Sequence, residues 1–281
     1  MKIRKFMQKA FFVIGLSALI SFAAAAQSKV VPIVDMKVGG LLGGVENGKF
    51  FDAKTTIERL EAEQDYTLYL PGKKSEKLRL KKPTNSQDVC DDFYGLDYEG
   101  IDAETRHEKG GVALGDGYRW NPQPRAIKAI ALNNAAYKKI MNDFLRTKRI
   151  TTPVAKLDQA FSVDLDGDGR EEVILTATRA DRSFQPKPKR RTYDGFSVVL
   201  IRKTVNGKIR NIVLDGEFHP KSDAFYDGYT YAVSSVADLN GDGKLEILLH
   251  GEYYEGSSTG VYELNGSKAS YVEGLGAGCG L

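Results

Sequence analysis

Two nine-residue acidic loops constrain this chain more than any other feature. The first reads Asp164-Leu-Asp166-Gly-Asp168-Gly169-Arg170-Glu-Glu172 and the second Asp238-Leu-Asn240-Gly-Asp242-Gly243-Lys244-Leu-Glu246, a match position for position. Ala160-Phe-Ser-Val leads into the first and Tyr231-Ala-Val-Ser-Ser-Val-Ala into the second. Val173-Ile-Leu-Thr-Ala177 and Ile247-Leu-Leu249 follow, so each loop joins two strand-like runs. Phe196 to Ile201 and Ile209 to Leu214 then flank an Asn206-Gly207 turn, as Val261 to Leu264 and Ala269 to Val272 flank Asn265-Gly266. Each copy is therefore expected to be four short antiparallel strands, with extra residues in an Arg182 to Asp194 insert of the first. A repeated four-strand unit has the organisation of a propeller blade.

Oxygen side chains at loop positions 1, 3 and 5 converge because the chain curls around one point, and glycine at position 6 permits the sharp turn. The carbonyl at position 7 faces inward, and an acid at position 9 closes the ring. Several oxygen donors at about 2.3 to 2.6 Å are what calcium prefers, whereas magnesium demands a tighter octahedron. Thiolate and imidazole are absent from both loops, against zinc or copper. An EF-hand needs its bidentate acid at position 12, where Leu175 and Leu249 stand. The bland alternative is an Asx-type turn with solvated carboxylates. Repulsion among three or four acids within nine residues, present twice, favours an ion.

The pattern D-x-[DN]-x-D-G-x-x-E entering a strand resembles the FG-GAP or VCBS repeat, the calcium loop of integrin α-subunit propellers and of many exported bacterial proteins. The resemblance spans about Gln159 to Leu281, without the Phe-Gly or Gly-Ala-Pro elements of that family. It implies two Ca²⁺ sites, each on a β-hairpin of a blade. Asp164, Asp166, Asp168, the Arg170 carbonyl and Glu172 would form one. Asp238, Asn240, Asp242, the Lys244 carbonyl and Glu246 would form the other. Asn240 replaces Asp166, and Leu245 stands where the first loop has Glu171, so loop charge ranks the second site as the weaker.

Met1-Lys2-Ile3-Arg4-Lys5 followed by the apolar run Phe11 to Phe22 and Ala24-x-Ala26 reads as a secretory signal peptide, residues 1–26. The run falls short of the roughly 20 residues of a membrane span, the rival reading. The expected product is periplasmic or secreted, with no transmembrane segment after processing. Lys2, Arg4, Lys5 and Lys9 leave with this leader and no acid does, so 40 basic and 37 acidic residues become 36 and 37. The apparent excess of positive charge therefore gives no support for nucleic acid as a partner. Cys90 and Cys279 are the only cysteines, and in an oxidising compartment they are expected to pair. Two buried thiols are the alternative.

Residues 27–150 read as a β-rich region that ends in an amphipathic helix over about 134–148, followed by the two calcium-loop units in 151–281. Asp52 is placed to cap a short helix over Ala53 to Ala62, and Tyr66 to Leu70 and Leu78 to Leu80 alternate like strands around Pro71-Gly72. Tyr137, Ile140, Met141, Phe144 and Leu145 recur at helical spacing behind a cap at Asn133 or Asn134. The chain is thus mainly β with one clear helix.

No catalytic set is legible. His250 lies at a strand end near Glu252, where either a hydrogen-bonded structural histidine or a general acid or base would fit, while His107 and His219 lack obvious partners. Ser257-Ser258 is not within G-x-S-x-G. Phe225-Tyr-Asp-Gly-Tyr-Thr-Tyr231 and Tyr253-Tyr-Glu255 suit either edge-strand packing or a face for sugar or peptide. The basic run Pro186 to Arg191 reads as an exposed insert that could meet an anionic envelope surface. The sequence points first to a non-catalytic exported module that binds protein or carbohydrate of the cell envelope. An envelope-polymer hydrolase and an inhibitor or immunity protein against an envelope-targeting toxin are the alternatives.

Overall fold

Unbroken runs of apolar and glycine residues in the first strands fix the N-terminal architecture, because both faces of those strands find a core. The computed structural model describes residues 29–85, 90, 92–97, 110–154, 156–180, 194–221 and 228–280. Its first strands are β1 (Val31–Asp35), β2 (Gly40–Glu46) and β3 (Lys49–Phe51). Helix α1 (Ala53–Ile57), β4 (Glu63–Tyr69), β5 (Glu76–Lys81), β6 (Thr84–Asn85), β7 (Tyr94–Gly95) and β8 (Val112–Gly115) follow. These strands form one curled sheet in the order β5-β4-β8-β1-β2-β7-β6, with β3 beside β2. Val34, Leu41 and Ala113 face one core, while their neighbours Ile33, Leu42 and Leu114 face another. Asp52 caps α1 by accepting the Thr55 N–H at 2.6 Å.

The second sheet takes its edge strand from the N-terminal half. It runs β13-β12-β11-β10-β9, built from β9 (Lys128–Ala129), β10 (Gln159–Val163), β11 (Glu172–Arg179), β12 (Gly195–Val205) and β13 (Lys208–His219). Between β9 and β10 lies α2 (Ala135–Thr147), capped by Asn134, whose side chain accepts the N–H groups of Ala136 and Tyr137. Met141 and Leu145 of its apolar stripe are buried against Leu175, Val198 and Leu200. The third sheet is the four-stranded meander β14 (Thr230–Ala237), β15 (Glu246–Tyr253), β16 (Gly256–Asn265) and β17 (Lys268–Gly280). Two units of four antiparallel strands, β10 to β13 and β14 to β17, therefore exist as expected. The Asn206-Gly207 hairpin has φ of 51° and 73°, the left-handed pair that a tight I′ turn needs.

The sheets stack. Phe161, Ile174, Val199 and Ile201 of the second sheet meet Val233, Ile247, Leu249 and Leu264 of the third. The opposite face of the third sheet, with Ala237, Leu248, Val261 and Leu275, packs on Ile33, Leu42 and Leu114 of the first. The order of layers is thus helix α2, second sheet, third sheet, first sheet. Among the described residues no helix is long and apolar enough to cross a membrane.

Cys90, between β6 and β7, and Cys279, at the end of β17, are joined with their Cα atoms 5.5 Å apart, so the expected pair is present. The link spans 189 residues. A closed loop of that length restricts the unfolded chain by roughly 5 kcal/mol on the chain-entropy account. Replacing both cysteines with serine should therefore lower unfolding stability by up to about 5 kcal/mol. Denaturant unfolding with and without reductant checks this, and equal stability of the two proteins would show that the link carries no restraint.

Candidate metal centre and tyrosine cleft

Both acidic loops hold the same shape by the same hydrogen bonds. Glycines at positions 4 and 6 have φ of 76° and 83° in the first loop and 82° and 83° in the second, a region that side chains disfavour. The aspartate at position 1 binds their N–H groups with both oxygens. Asp164 accepts from Gly167 at 2.8 Å and Gly169 at 3.0 Å, and Asp238 from Gly241 at 2.6 Å and Gly243 at 3.0 Å. At position 5, Asp168 and Asp242 each accept the position-7 N–H, from Arg170 and Lys244, at 2.8 Å. Asn240 accepts the Asp242 N–H at 2.9 Å. Glu172 and Glu246, each 1% exposed, reach back to the buried leucine at position 2, accepting from Leu165 N at 2.8 Å and Leu239 N at 2.7 Å.

The loops differ in what meets these acids. In the first, Asp164, Asp166 and Glu172 bring carboxylate oxygens within 4.8 Å of one another, a spacing that could hold a metal ion. Lys203 of β12 enters this cluster, its Nζ 2.7 Å from Asp166 Oδ2 and 2.8 Å from Glu172 Oε1, with 4% of its side chain exposed. Burial works against the ammonium, but Asp166 and Glu172 outweigh it and hold Lys203 above the ordinary lysine pKa. Burial raises the Glu172 pKa and Lys203 opposes that rise. Among the described residues Asp166 Oδ1 is buried without a hydrogen-bond partner.

In the second loop the corresponding strand brings an acid. Val173 pairs with Arg202 and Ile247 with Tyr262, so one step along each ladder sets Glu172 beside Lys203 and Glu246 beside Glu263. Among the described residues Glu246 receives only the Leu239 N–H. Burial first, then Asp242, Asp238 and Glu263, push its pKa up to about 8. Burial also raises Asp238.

Neighbouring chain locks the two loops together. The Arg125 guanidinium donates through Nε to the Asp164 carbonyl and through Nη2 to the carbonyls of Leu165 at 3.3 Å and Gly243 at 2.7 Å. Leu245 N–H donates to the Leu165 carbonyl at 2.8 Å, and Trp120 Nε1 to the Asp238 carbonyl at 2.9 Å. Lys203, Arg125 and Trp120 were not legible as site residues, since each lies far along the chain from the loop it serves.

At the other end of β15 the sheet surface is paved with glycine. A Cβ on Gly260 would stand 2.9 Å from the Tyr271 ring, and one on Gly251 would stand 3.2 Å from Tyr229 and 3.3 Å from Tyr231. Only glycine lets these rings lie so close to the strands. They border a cleft of about 550 Å³ also lined by Tyr262, Asp92 and Asp215. Tyr262 donates to Asp215 Oδ2 at 3.0 Å, while Asp215 Oδ1 accepts the Gly216 N–H at 2.8 Å. Tyr229 and Tyr231 come from the aromatic stretch singled out in the sequence; Phe225, Tyr226 and Asp227 lie outside the described residues, as do His107 and Pro186 to Arg191.

His250 is 4% exposed and stands with Nδ1 3.1 Å from Thr259 Oγ1, whose hydroxyl donates to Asp35 of β1. The chain Asp35–Thr259–His250 joins the first sheet to the third, and burial raises the Asp35 pKa. His219 Nε2 lies 3.7 Å from Glu217.

Comparison with protein-family models, curated proteins and solved structures found no match.

The environment of Glu246 gives a pH dependence. Its pKa is about 8 folded against an ordinary 4.5, so between these values the folded protein keeps a proton that the unfolded chain releases. The unfolded state then binds fewer protons, and this group makes stability fall as pH rises through that window. In chelator, Glu246→Gln should flatten that part of the fall. Denaturant titrations across the window check it, and an unchanged slope would place the titration elsewhere.

Proposed function

We propose that this is an exported, calcium-stabilised binding module of FG-GAP or VCBS type, whose cleft takes carbohydrate of the cell envelope. The observation that carries the reading is that β15 begins at the buried Glu246 of an acidic loop and ends at the glycine-paved cleft beside Tyr229 and Tyr231. A cation that fixes the start of the strand also fixes the floor of the cleft.

The donor set of the second loop suits a hard ion. Asp238, Asn240, Asp242 and Glu246 offer only oxygen, and Glu246 is buried with a single hydrogen bond among the described residues. When bound, calcium would supply the positive charge those acids lack and so permit Glu246 to ionise. The first loop already has a cation of its own in Lys203, paired with Asp166 and Glu172, which an ion held with Asp164 and Asp168 would have to displace or share. The protein's own groups do the rest. Tyrosine rings offer flat faces to the C–H side of a sugar ring, the carboxylate of Asp215 accepts hydroxyl protons, and the small floor leaves room for a ring. The leader read in residues 1–26 supports a periplasmic or secreted module.

Asp92 and Asp215 both line the cleft, and two carboxylates flanking one sugar are what a hydrolase would require. Turnover of an envelope polysaccharide that is lost in both Asp92→Asn and Asp215→Asn would support that second reading.

Calcium at millimolar concentration should raise the melting temperature and magnesium should raise it far less. Extracellular sites bind at about 10⁻⁴ to 10⁻³ M, and a ligand at about a hundred times its Kd adds about 2.7 kcal/mol. Calorimetry with no calcium heat and no thermal shift would reject the metal. Binding to arrayed envelope glycans should be lost in Tyr231→Ala and Tyr271→Ala without loss of the calcium shift. Glycan binding unaffected by both changes would move the partner away from the cleft.

A further inference from the structure

We infer that the two loops have parted in function: Lys203 serves as the built-in cation of the first, and only the second takes a metal ion. The inference rests on the calcium reading above and narrows it from two ions to one.

Lysine is almost never as buried as Lys203 unless it is paired, and here both of its hydrogen-bonded partners are metal-ligand candidates of the first loop, Asp166 and Glu172. A divalent ion set among Asp164, Asp166 and Glu172 would lie against that ammonium with little solvent between them, and like charges in such surroundings repel strongly. To admit the ion, Lys203 would have to leave two carboxylates and find another place for a buried charge. Asp166 Oδ1 has no partner among the described residues, but its companion oxygen is already taken by Nζ. The convergence of Asp166 and Glu172 is thus the geometry of an ion cluster around Lys203, which leaves Asp166 Oδ1 as an open oxygen among the described residues.

The second loop presents the opposite case. Glu246 is 1% exposed and Leu239 N–H binds only its Oε2, so Oε1 is left without a donor among the described residues. A carboxylate buried in this way must be neutral, paired with a cation or bound to a metal. The neighbouring strand adds Glu263, where the first unit has Lys203. This reverses the ranking drawn from loop composition. Asn240 and Leu245 leave the second loop two acids short of the first, but Glu171 is turned to Lys128 and Ser162, whereas the exchange of a lysine for a glutamate on the adjacent strand acts on the buried acid itself.

Terbium, a calcium substitute that emits when a nearby tryptophan is excited, reports an ion beside the loops, and the loop variants assign it. The single tryptophan, Trp120, packs against Gly241, where a Cβ would stand 3.0 Å from its ring. Wild-type protein should show one calcium-binding event by calorimetry and a terbium signal that calcium displaces. Asp242→Ala should lose both, and Asp168→Ala should keep both. Lys203→Met should gain a second calcium event while keeping the terbium signal. If Lys203→Met does not fold, the two aspartate variants still decide the matter. Two events in the wild type, or one event that Asp168→Ala abolishes, would overturn the inference while leaving calcium in place. No calcium heat in any of these proteins would overturn the calcium reading, and this inference with it.

Discussion

A carboxylate buried at the first residue of a central strand organises each repeated unit. Glu172 opens β11 and Glu246 opens β15, and each holds the N–H of the leucine that turns inward from the preceding loop. The loop can therefore close only if the glutamate stays under the sheet, and the leucine beside it is then fixed in the core. Such a group has few options in a protein interior. The first unit provides an ammonium from β12 and the second leaves its glutamate crowded by other acids. Everything distinctive about the loops follows from how that one buried charge is handled.

The position of the third sheet explains why its sequence resists simple reading. Ile247, Leu248 and Leu249 are consecutive apolar residues because successive side chains enter different cores, the first and third toward the second sheet and the middle one toward the first. A strand covered on only one side would alternate. The sheet in the middle of a stack cannot, and its far end escapes this demand only where glycines and tyrosines open the cleft.

The acidic loops, the capped helix and the Asn-Gly hairpin were legible because the residues that form them are contiguous or lie one helical turn apart. Asn134 caps the helix at the expected place and Asp52 caps the short one, which stops at Ile57 rather than running on toward Ala62. The curled sheet was not legible, since β8 inserts between β4 and β1 and nothing local specifies that order. Lys203 was hidden for a subtler reason. Counting back from Asn206-Gly207 and Asn265-Gly266 aligns it with Tyr262, but the second hairpin turns on Gly266-Ser267, with Asn265 paired to Lys268, and this sets Glu263 where Lys203 stands in the first unit. His250, placed at a strand end by sequence, proved to be part of a buried bridge between sheets, because its neighbour across the strands is Thr259 and beyond that Asp35.

The link from Cys90 to Cys279 also sets the mechanical path through the molecule. A pull applied to the chain before Cys90 and after Cys279 runs from the first sheet across the sulfur bridge to the end of β17. The second sheet, both acidic loops and most of the third sheet hang inside that covalent ring as a slack side branch. Tension would extend the segment ahead of Cys90 and leave the loops and the tyrosine cleft unloaded, as long as the bridge stays oxidised.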